Sequence, residues 1–169
     1  MILTRNEIKK RIGSKSIKIE PFDDALLGPA SIDIRLGREF RRFRARPTIV
    51  DLTEEVDFDQ ISTVEEADEF ILHPGEFALG ISKENITLSQ DIAGFLRGRS
   101  RFARLGLIVN STADFIQPGI DNRQVLEIRN LGVMPIKLKE GMPICQLILM
   151  ECRGEAKYKG IFSIQRFLK

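Results

Sequence analysis

Gln124-Val-Leu-Glu-Ile-Arg129 puts Leu126 and Ile128 on one side of an extended chain and Val125, Glu127 and Arg129 on the other. A repeat of two over six residues describes a strand with one buried face, and Glu127 lies off that face. Working outward, stretches of the same kind recur at Ser31–Leu36, Glu69–Leu72, Glu76–Ser82, Gly94–Arg97, Pro135–Leu138 and Ile144–Met150, each bounded by turn residues. Pro74-Gly75 and Glu140-Gly141 divide neighbouring strands and predict hairpins or tight β corners, with His73 exposed in the first of them. Residues 51–69 are rich in acidic side chains and read as a surface excursion with a weak helical turn. Helical spacing is confined to the start of the chain. There Thr4 and Glu7 form a capping-box pattern, Ile8 and Ile12 are four apart and Gly13 supplies the stop. The pattern predicts a mainly β protein with few helices.

A chain of 169 residues that is 43% hydrophobic is long enough for one core, so residues 1–169 are read as a single domain. The net charge of +2 provides no global basic field, which argues against nucleic acid as a partner. Arg38, Arg41, Arg42, Arg44 and Arg46 form a local cluster read as a solvated strand and loop. The first residues lack a basic region followed by a long apolar stretch, and no window is long and apolar enough to cross a bilayer. A soluble cytoplasmic protein with no membrane partner is expected. One histidine excludes a Ser-His-Asp triad away from His73, and with only Cys145 and Cys152 the chain cannot build the H-x-E and P-C-x-x-C pair of a zinc deaminase. Cys145 lies in an apolar run and reads as a buried thiol.

Gly98-Arg-Ser-Arg-Phe-Ala-Arg-Leu-Gly106 carries the functional signal. Ser100 as N-cap and Gly106 as stop predict little more than one helical turn over Arg101–Leu105. Arg99, Arg101 and Arg104 at the mouth of that turn make it suited to an anion such as a phosphate group. The segment points to a nucleotide.

Three further blocks accompany it: Gly28-Pro-Ala-Ser-Ile-Asp-Ile-Arg-Leu-Gly37, Thr112 to Glu127, and Lys139-Glu-Gly-Met-Pro-Ile-Cys-Gln-Leu-Ile-Leu149. In this order and spacing, the four blocks resemble the dCTP deaminase family of the trimeric dUTPase-like superfamily. The resemblance implies a distorted jelly roll (the dUTPase-like β-clip) with a short helix near residues 100–105, and a homotrimer with sites shared between subunits. It implies zinc-independent conversion of dCTP and water to dUTP and ammonia, with dUTP and dTTP as related ligands. Glu127 falls where the family places its catalytic glutamate, with Arg104 close by and Ser100 orienting the helix mouth. Arg99, Ser100, Arg101, Gln146 and Lys157 are implied for the triphosphate, Thr112 and Ala113 for water and base, and the backbone of Val125 and Leu126 for the base edge. Magnesium would arrive with the substrate's phosphates, and a C-terminal arm over residues 155–169 would close on the nucleotide.

The chain departs from the family at several positions. Gln117 precedes Pro118-Gly119 where an aspartate is usual, and an amide cannot serve as a general base. Ile120 stands where an aromatic residue packs on the sugar. Asn122 replaces a glycine, and Asn tolerates positive φ, so a turn there is expected to survive. A longer, tyrosine-bearing insertion before Lys157 is absent, and Ile161 replaces a polar residue. Gln117 therefore favours a deaminase that stops at dUTP. The alternatives are a bifunctional enzyme giving dUMP and diphosphate, a dUTPase, and a catalytically weak nucleotide-binding module.

Overall fold

The computed structural model describes residues 1–44, 49–51, 53, 56–110, 112–160, 165 and 167. Its helices are α1 (Arg5–Gly13), α2 (Phe58–Ile61) and α3 (Ser100–Ala103), with a 3-10 turn at Asp24–Leu26. Eleven strands are described: β1 (Ile17–Glu20), β2 (Ile32–Phe43), β3 (Ser62–Glu66), β4 (Glu69–Leu72), β5 (Phe77–Leu88), β6 (Ile92–Gly98), β7 (Leu107–Val109), β8 (Phe115–Ile116), β9 (Asp121–Asn130), β10 (Ile136–Lys139) and β11 (Pro143–Glu151). One antiparallel sheet runs β7-β9-β5-β2-β11-β6-β8, with β1 added to β5 and β3 to β2, while β10 and β4 form a separate pair. The sheet curls on itself as a distorted jelly roll, and Ile34, Leu36, Phe40, Leu126, Ile128, Leu147 and Leu149 fill its interior. No described helix is long and apolar enough to cross a membrane.

The curl comes from two long strands that change partners. The first half of β2 pairs with β11 and its second half with β3 and β5, with the register shifting between Leu36 and Phe40. β5 shifts register against β9 between Ile81 and Asn85. Extra residues of this kind bend a strand and increase its twist. Glycine is required at the first bend: a Cβ on Gly37 would lie 2.5 Å from Arg123 Nη2 and 2.9 Å from the Ile81 carbonyl oxygen. The second bend is held by side chains. Ser82 Oγ donates to the Glu84 carbonyl at 2.7 Å and accepts from the Gln124 N–H at 2.8 Å. The Glu84 carboxylate, 1% exposed, accepts from the Arg35 N–H at 2.9 Å and from Arg35 Nε at 2.5 Å.

The expected strands all form, several of them longer than their patterns. Glu76–Ser82 becomes Phe77–Leu88, because Glu84, just past the expected end, is paired with Arg35 within the bend. Pro74-Gly75 and Glu140-Gly141 are corners and not hairpins. β4 and β10 pair with each other, whereas β5 and β11 continue into the main sheet. Gly75 (φ 79°) donates its N–H to the Asn130 carbonyl, and Gly141 (φ 77°) donates to that of Leu36, which ties each corner to a distant strand. At α1 the capping box is not made. Thr4 is the N-cap without a side-chain bond, Glu7 turns to Arg11, and the chain reverses at Lys15 (φ 64°) because the Lys15 and Ser16 N–H groups bond back to Ile12 and Arg11. Residues 51–69 contain the helical turn α2 and also β3, which covers the edge of β2.

The arginine cluster is largely absorbed by partners. Arg41 bonds Asp59 and Ser62, Arg42 pairs with Glu65 and Glu76 while lying 4.2 Å over the Phe70 ring, and Arg38 pairs with Asp68. Arg46 lies outside the described residues.

Removing the Glu84 carboxylate leaves Arg35 and its N–H without their partner in the second bend. Glu84→Ala is expected to lower stability by about 3 kcal/mol, at the lower end for a broken buried pair because Arg35 is 18% exposed, and a urea unfolding curve measures this.

Candidate functional site

β7 pairs with β9 only as far as Val109 opposite Ile128, so among the described residues the edge of β9 preceding that point has no strand beside it. An edge of this kind presents backbone donors and acceptors that need partners. Asn110 supplies two of them. Its N–H donates to the Glu127 carbonyl at 2.9 Å, and its Oδ1 accepts from the Glu127 N–H at 3.1 Å. Asn110 is buried and holds φ 51°, a left-handed conformation that Asn adopts more readily than most residues. It thereby ends β7 and clamps the backbone of Glu127.

The open edge faces a cavity of about 600 Å³. Ala113, Gln117, Ile120, Val125 and Glu127 line it, so five of the residues singled out in the sequence converge on one space. Thr112 joins them through a hydrogen bond from its Oγ1 to Glu127 Oε2 at 3.0 Å. The Leu126 side chain is fully buried in the core. The Val125 N–H donates to the amide oxygen of Gln165 at 2.7 Å. Phe167 and Tyr158 also line the cavity, as do Arg41, Phe43, Phe58, Phe77 and Phe115, an aromatic wall that the sequence reading did not identify. These rings come from five separate segments, and no local pattern links them.

The remaining candidates stand elsewhere on the chain. Ser100, Arg101 and Arg104 are exposed on and just after α3 and do not line the cavity, so Arg104 is not beside Glu127 in a wall shared within one chain. Arg99, and not Ser100, is the N-cap, and no side-chain cap is made; Ser100 is the first helical residue. Gly106 does end the turn, at φ 87°. Arg99 donates from Nη1 to the Pro143 carbonyl at 3.0 Å and pairs through Nη2 with Asp33 Oδ2 at 2.9 Å. Burial raises the Asp33 carboxyl above its ordinary pKa, and the Arg99 charge partly opposes the rise. Gln146 Oε1 accepts from Ser31 Oγ at 3.3 Å on the same sheet. Lys157 is exposed and its backbone runs over Gly119, while the Tyr158 N–H donates to the Pro118 carbonyl at 3.1 Å, which lays this segment across the Gln117-Pro118-Gly119 turn.

The expectation for Asn122 is corrected. It lies within β9, 6% exposed, and is not among the described positive-φ residues; its Oδ1 accepts from Gln124 within the strand. The asparagine that uses a left-handed conformation is Asn110. Among the described residues no three His, Cys, Asp or Glu side chains are grouped to hold a metal ion. Burial pushes the Cys145 thiol up from its ordinary pKa, which favours the protonated thiol.

A family profile described as dCTP deaminase-like matches residues 2–152. The chain belongs to the dCTP deaminase-like family. A protein of Streptomyces coelicolor named dCTP deaminase, dUMP-forming, is 42% identical over 160 residues, covering 94% of this chain and 84% of its own. A Mycolicibacterium smegmatis protein of the same name is 44% identical over 161 residues, with 93% and 84% covered, and a Natronomonas pharaonis protein named dCTP deaminase is 40% identical over 163 residues, also with 93% and 84% covered. Among solved structures, the 2'-deoxycytidine 5'-triphosphate deaminase of Agrobacterium tumefaciens matches with a TM-score of 0.69 at 23% identity over 88% of this chain. The chain spans about half the length of that one, 47%. A dUTPase from phage phi11 of S. aureus matches with a TM-score of 0.52 at 12% identity over 86% of this chain and 96% of its own, a likeness of fold alone.

The signal that could have located Asn110 in this dCTP deaminase-like chain is its place directly after the apolar Leu107-Ile-Val109 run, since Asn is a common choice where a strand must end in a left-handed residue. Asn110→Ala strands the Glu127 N–H and puts a Cβ-bearing residue with no polar side chain at φ 51°, so a loss of about 2 kcal/mol is expected. Asn110→Gly relieves only the conformational part and should fall between, with thermal unfolding giving the order.

Proposed function

We propose that this chain is a dCTP deaminase that converts dCTP and water to dUTP and ammonia, with Glu127 moving the protons. The observation that carries the reading is the placement of Glu127: its backbone is clamped by Asn110, one carboxylate oxygen is held by Thr112, and the side chain lines the cavity beside an open strand edge. Hydrolytic deamination at C4 requires that an attacking water lose a proton, that ring N3 gain one, and that the departing amine leave as ammonia. A single carboxylate can take the first proton and deliver it to N3, then carry the proton of the new hydroxyl to the amine. Holding Oε2 through Thr112 leaves Oε1 for the water.

Val125 supplies the base-recognition donor in this reading. The Gln165 carboxamide on its N–H has the same O=C–N pattern as the O2–C2–N3 edge of cytosine, which supports a pyrimidine at that place. Ala113 lies beside the base and water, and Gln117 and Ile120 lie beside the sugar, in the same cavity. Arg99, Ser100, Arg101 and Gln146 take the triphosphate, and Lys157 approaches it on an arm over residues 155–169. Magnesium comes with the phosphates in this reading.

Because Ser100 and Arg104 do not share the cavity within one chain, the complete site is assigned to a homotrimer in which α3 of one subunit faces the cavity of the next. Exposed Leu105, Leu131, Val133 and Met134 around the α3–β7 and β9–β10 loops provide an apolar surface for such contacts. The chain is read as one domain acting in the cytoplasm.

The second reading is a bifunctional enzyme that also cleaves dUTP to dUMP and diphosphate. It is favoured by the names of the Streptomyces coelicolor and Mycolicibacterium smegmatis relatives and opposed by Gln117, whose amide cannot activate water. The wild-type protein incubated with dCTP is expected to accumulate dUTP, while rapid formation of dUMP and diphosphate would establish the second reading.

Glu127→Gln keeps the size and loses the proton shuttle, so deamination should fall at least ~100-fold with much of the dCTP affinity retained, as measured by ammonia release and calorimetry. Near-normal turnover would overturn the assignment. Arg104→Ala is expected to lower kcat more than it raises KM, because a fixed charge near the carboxylate acts on the chemical step.

A further inference from the structure

The triphosphate ligands proposed above sit on a patch whose other members have no assigned role. Ser31 and Asp33 are two apart around the start of β2 and so project from one face. Gln146 of β11 stands opposite Asp33 on one side and opposite Arg97 of β6 on the other, which makes a row across three neighbouring strands. Arg99 lies two residues beyond Arg97, and its backbone is still extended (φ −84°, ψ 132°), so its side chain returns to the same face. Two contacts link the rows. Asp33 Oδ2 meets Arg99 Nη2 at 2.9 Å, and Ser31 Oγ donates to Gln146 Oε1 at 3.3 Å.

We propose that Asp33 and Ser31 are positioning residues that hold Arg99 and Gln146 in the orientation needed to receive the substrate's triphosphate. The inference rests on the reading of Arg99 and Gln146 as phosphate ligands. An arginine side chain is long and flexible, and its guanidinium binds phosphate well only when its planar fork is presented edge-on. Here the fork is fixed from two directions, by Asp33 at Nη2 and by the Pro143 carbonyl at Nη1, which turns the remaining N–H groups outward. Phe102 limits it from a third side, with its ring centre 5.8 Å from Arg99 Cζ. Gln146 is treated similarly: with its oxygen engaged by Ser31, the amide directs its Nε2 donors away from Ser31. Both side chains then lose less freedom when the anion binds, which strengthens binding without adding a contact.

A carboxylate near a triphosphate also repels it, and the two effects have opposite signs. Asp33 is 22% exposed and Arg99 30% exposed, so the pair is partly shielded and in close contact. Loss of Asp33 frees the fork as well as removing the repulsion, and the ordering effect is assigned as the larger.

The test uses the full chain and compares dissociation constants for dCTP and deoxycytidine, by calorimetry, in wild type, Arg99→Ala, Asp33→Ala, Asp33→Asn, Ser31→Ala and the Arg99→Ala/Asp33→Ala double variant. Asp33→Ala is expected to weaken dCTP about 10-fold and Ser31→Ala about 3-fold, with deoxycytidine changed less than about 2-fold in each. Asp33→Asn, which keeps shape and one acceptor, should fall between wild type and Asp33→Ala and carries the test if the alanine variant does not fold. In the double variant Asp33→Ala should add nothing to the loss from Arg99→Ala, because a positioning residue acts only through the group it positions. Tighter dCTP binding on loss of Asp33, equal weakening of both ligands, or additive losses in the double variant would overturn the proposal. If Arg99→Ala itself weakens both ligands equally, the phosphate reading of Arg99 fails and the inference falls with it. A split for Arg99→Ala without one for Asp33→Ala removes the Asp33 inference alone.

Discussion

The contact of Glu84 with Arg35 is the constraint on which the curl of this sheet depends. A carboxylate that is 1% exposed is tolerable only when its oxygens are satisfied, and here Arg35 satisfies them from both its backbone N–H and its Nε. That pairing holds β2 against β5 where β5 leaves its register with β9, so one strand can serve two differently directed halves of the sheet. Ser82 completes the bend by bonding β5 to itself and to Gln124 of β9. Gly37 leaves room on β2 for Arg123, which donates to the Ser82 carbonyl and pairs with Glu39. Without these bends the sheet would continue past the core and would not close around it.

Closure shapes the candidate site by deciding where strand pairing stops. β7 is only three residues long because Asn110 turns left-handed directly after it, and the edge of β9 past that point is met by Asn110 and by side chains. The same asparagine bonds both backbone groups of Glu127. A short strand thus produces both an open edge facing a cavity and a glutamate fixed on it. The local irregularity that ends a regular ladder is what prepares the site.

The candidate site residues fall into two groups because the fold presents two surfaces. Glu127, Thr112, Val125, Ala113, Gln117 and Ile120 belong to the cavity, whereas Arg99, Gln146, Ser100 and Arg104 belong to the β2–β11–β6 face and to α3. A nucleotide is long enough to need both, with an amide-edged base at one end and a polyanion at the other. The division suits the proposed trimer, in which a triphosphate leaving one cavity meets the arginines of a neighbouring subunit. The segment over the Gln117 turn is tied down outside any strand, by the Ala156 N–H on the Gln90 carbonyl and the Tyr158 N–H on the Pro118 carbonyl.

Much of this was legible in the residues. Alternation located the buried face of β9 and the outward position of Glu127 because strand geometry follows from two-residue spacing without reference to the remainder of the chain. Four ordered blocks carried the family resemblance, and five of the residues they marked meet in one cavity. Tertiary structure alone decided the rest, wherever a residue's role depends on a partner far away in sequence. Glu84 lies just past the strand that alternation marked and is a buried clamp because Arg35 lies across from it. Pro74-Gly75 allowed either a hairpin or a corner, and it is a corner because β4 finds β10. Asn122, expected to replace a glycine at positive φ, lies within a strand, while Asn110, unmarked in the sequence, takes the left-handed conformation. Local spacing sets which way a side chain faces; only the closed fold sets what it faces, since burial and pairing energies arise between segments that the sequence holds apart.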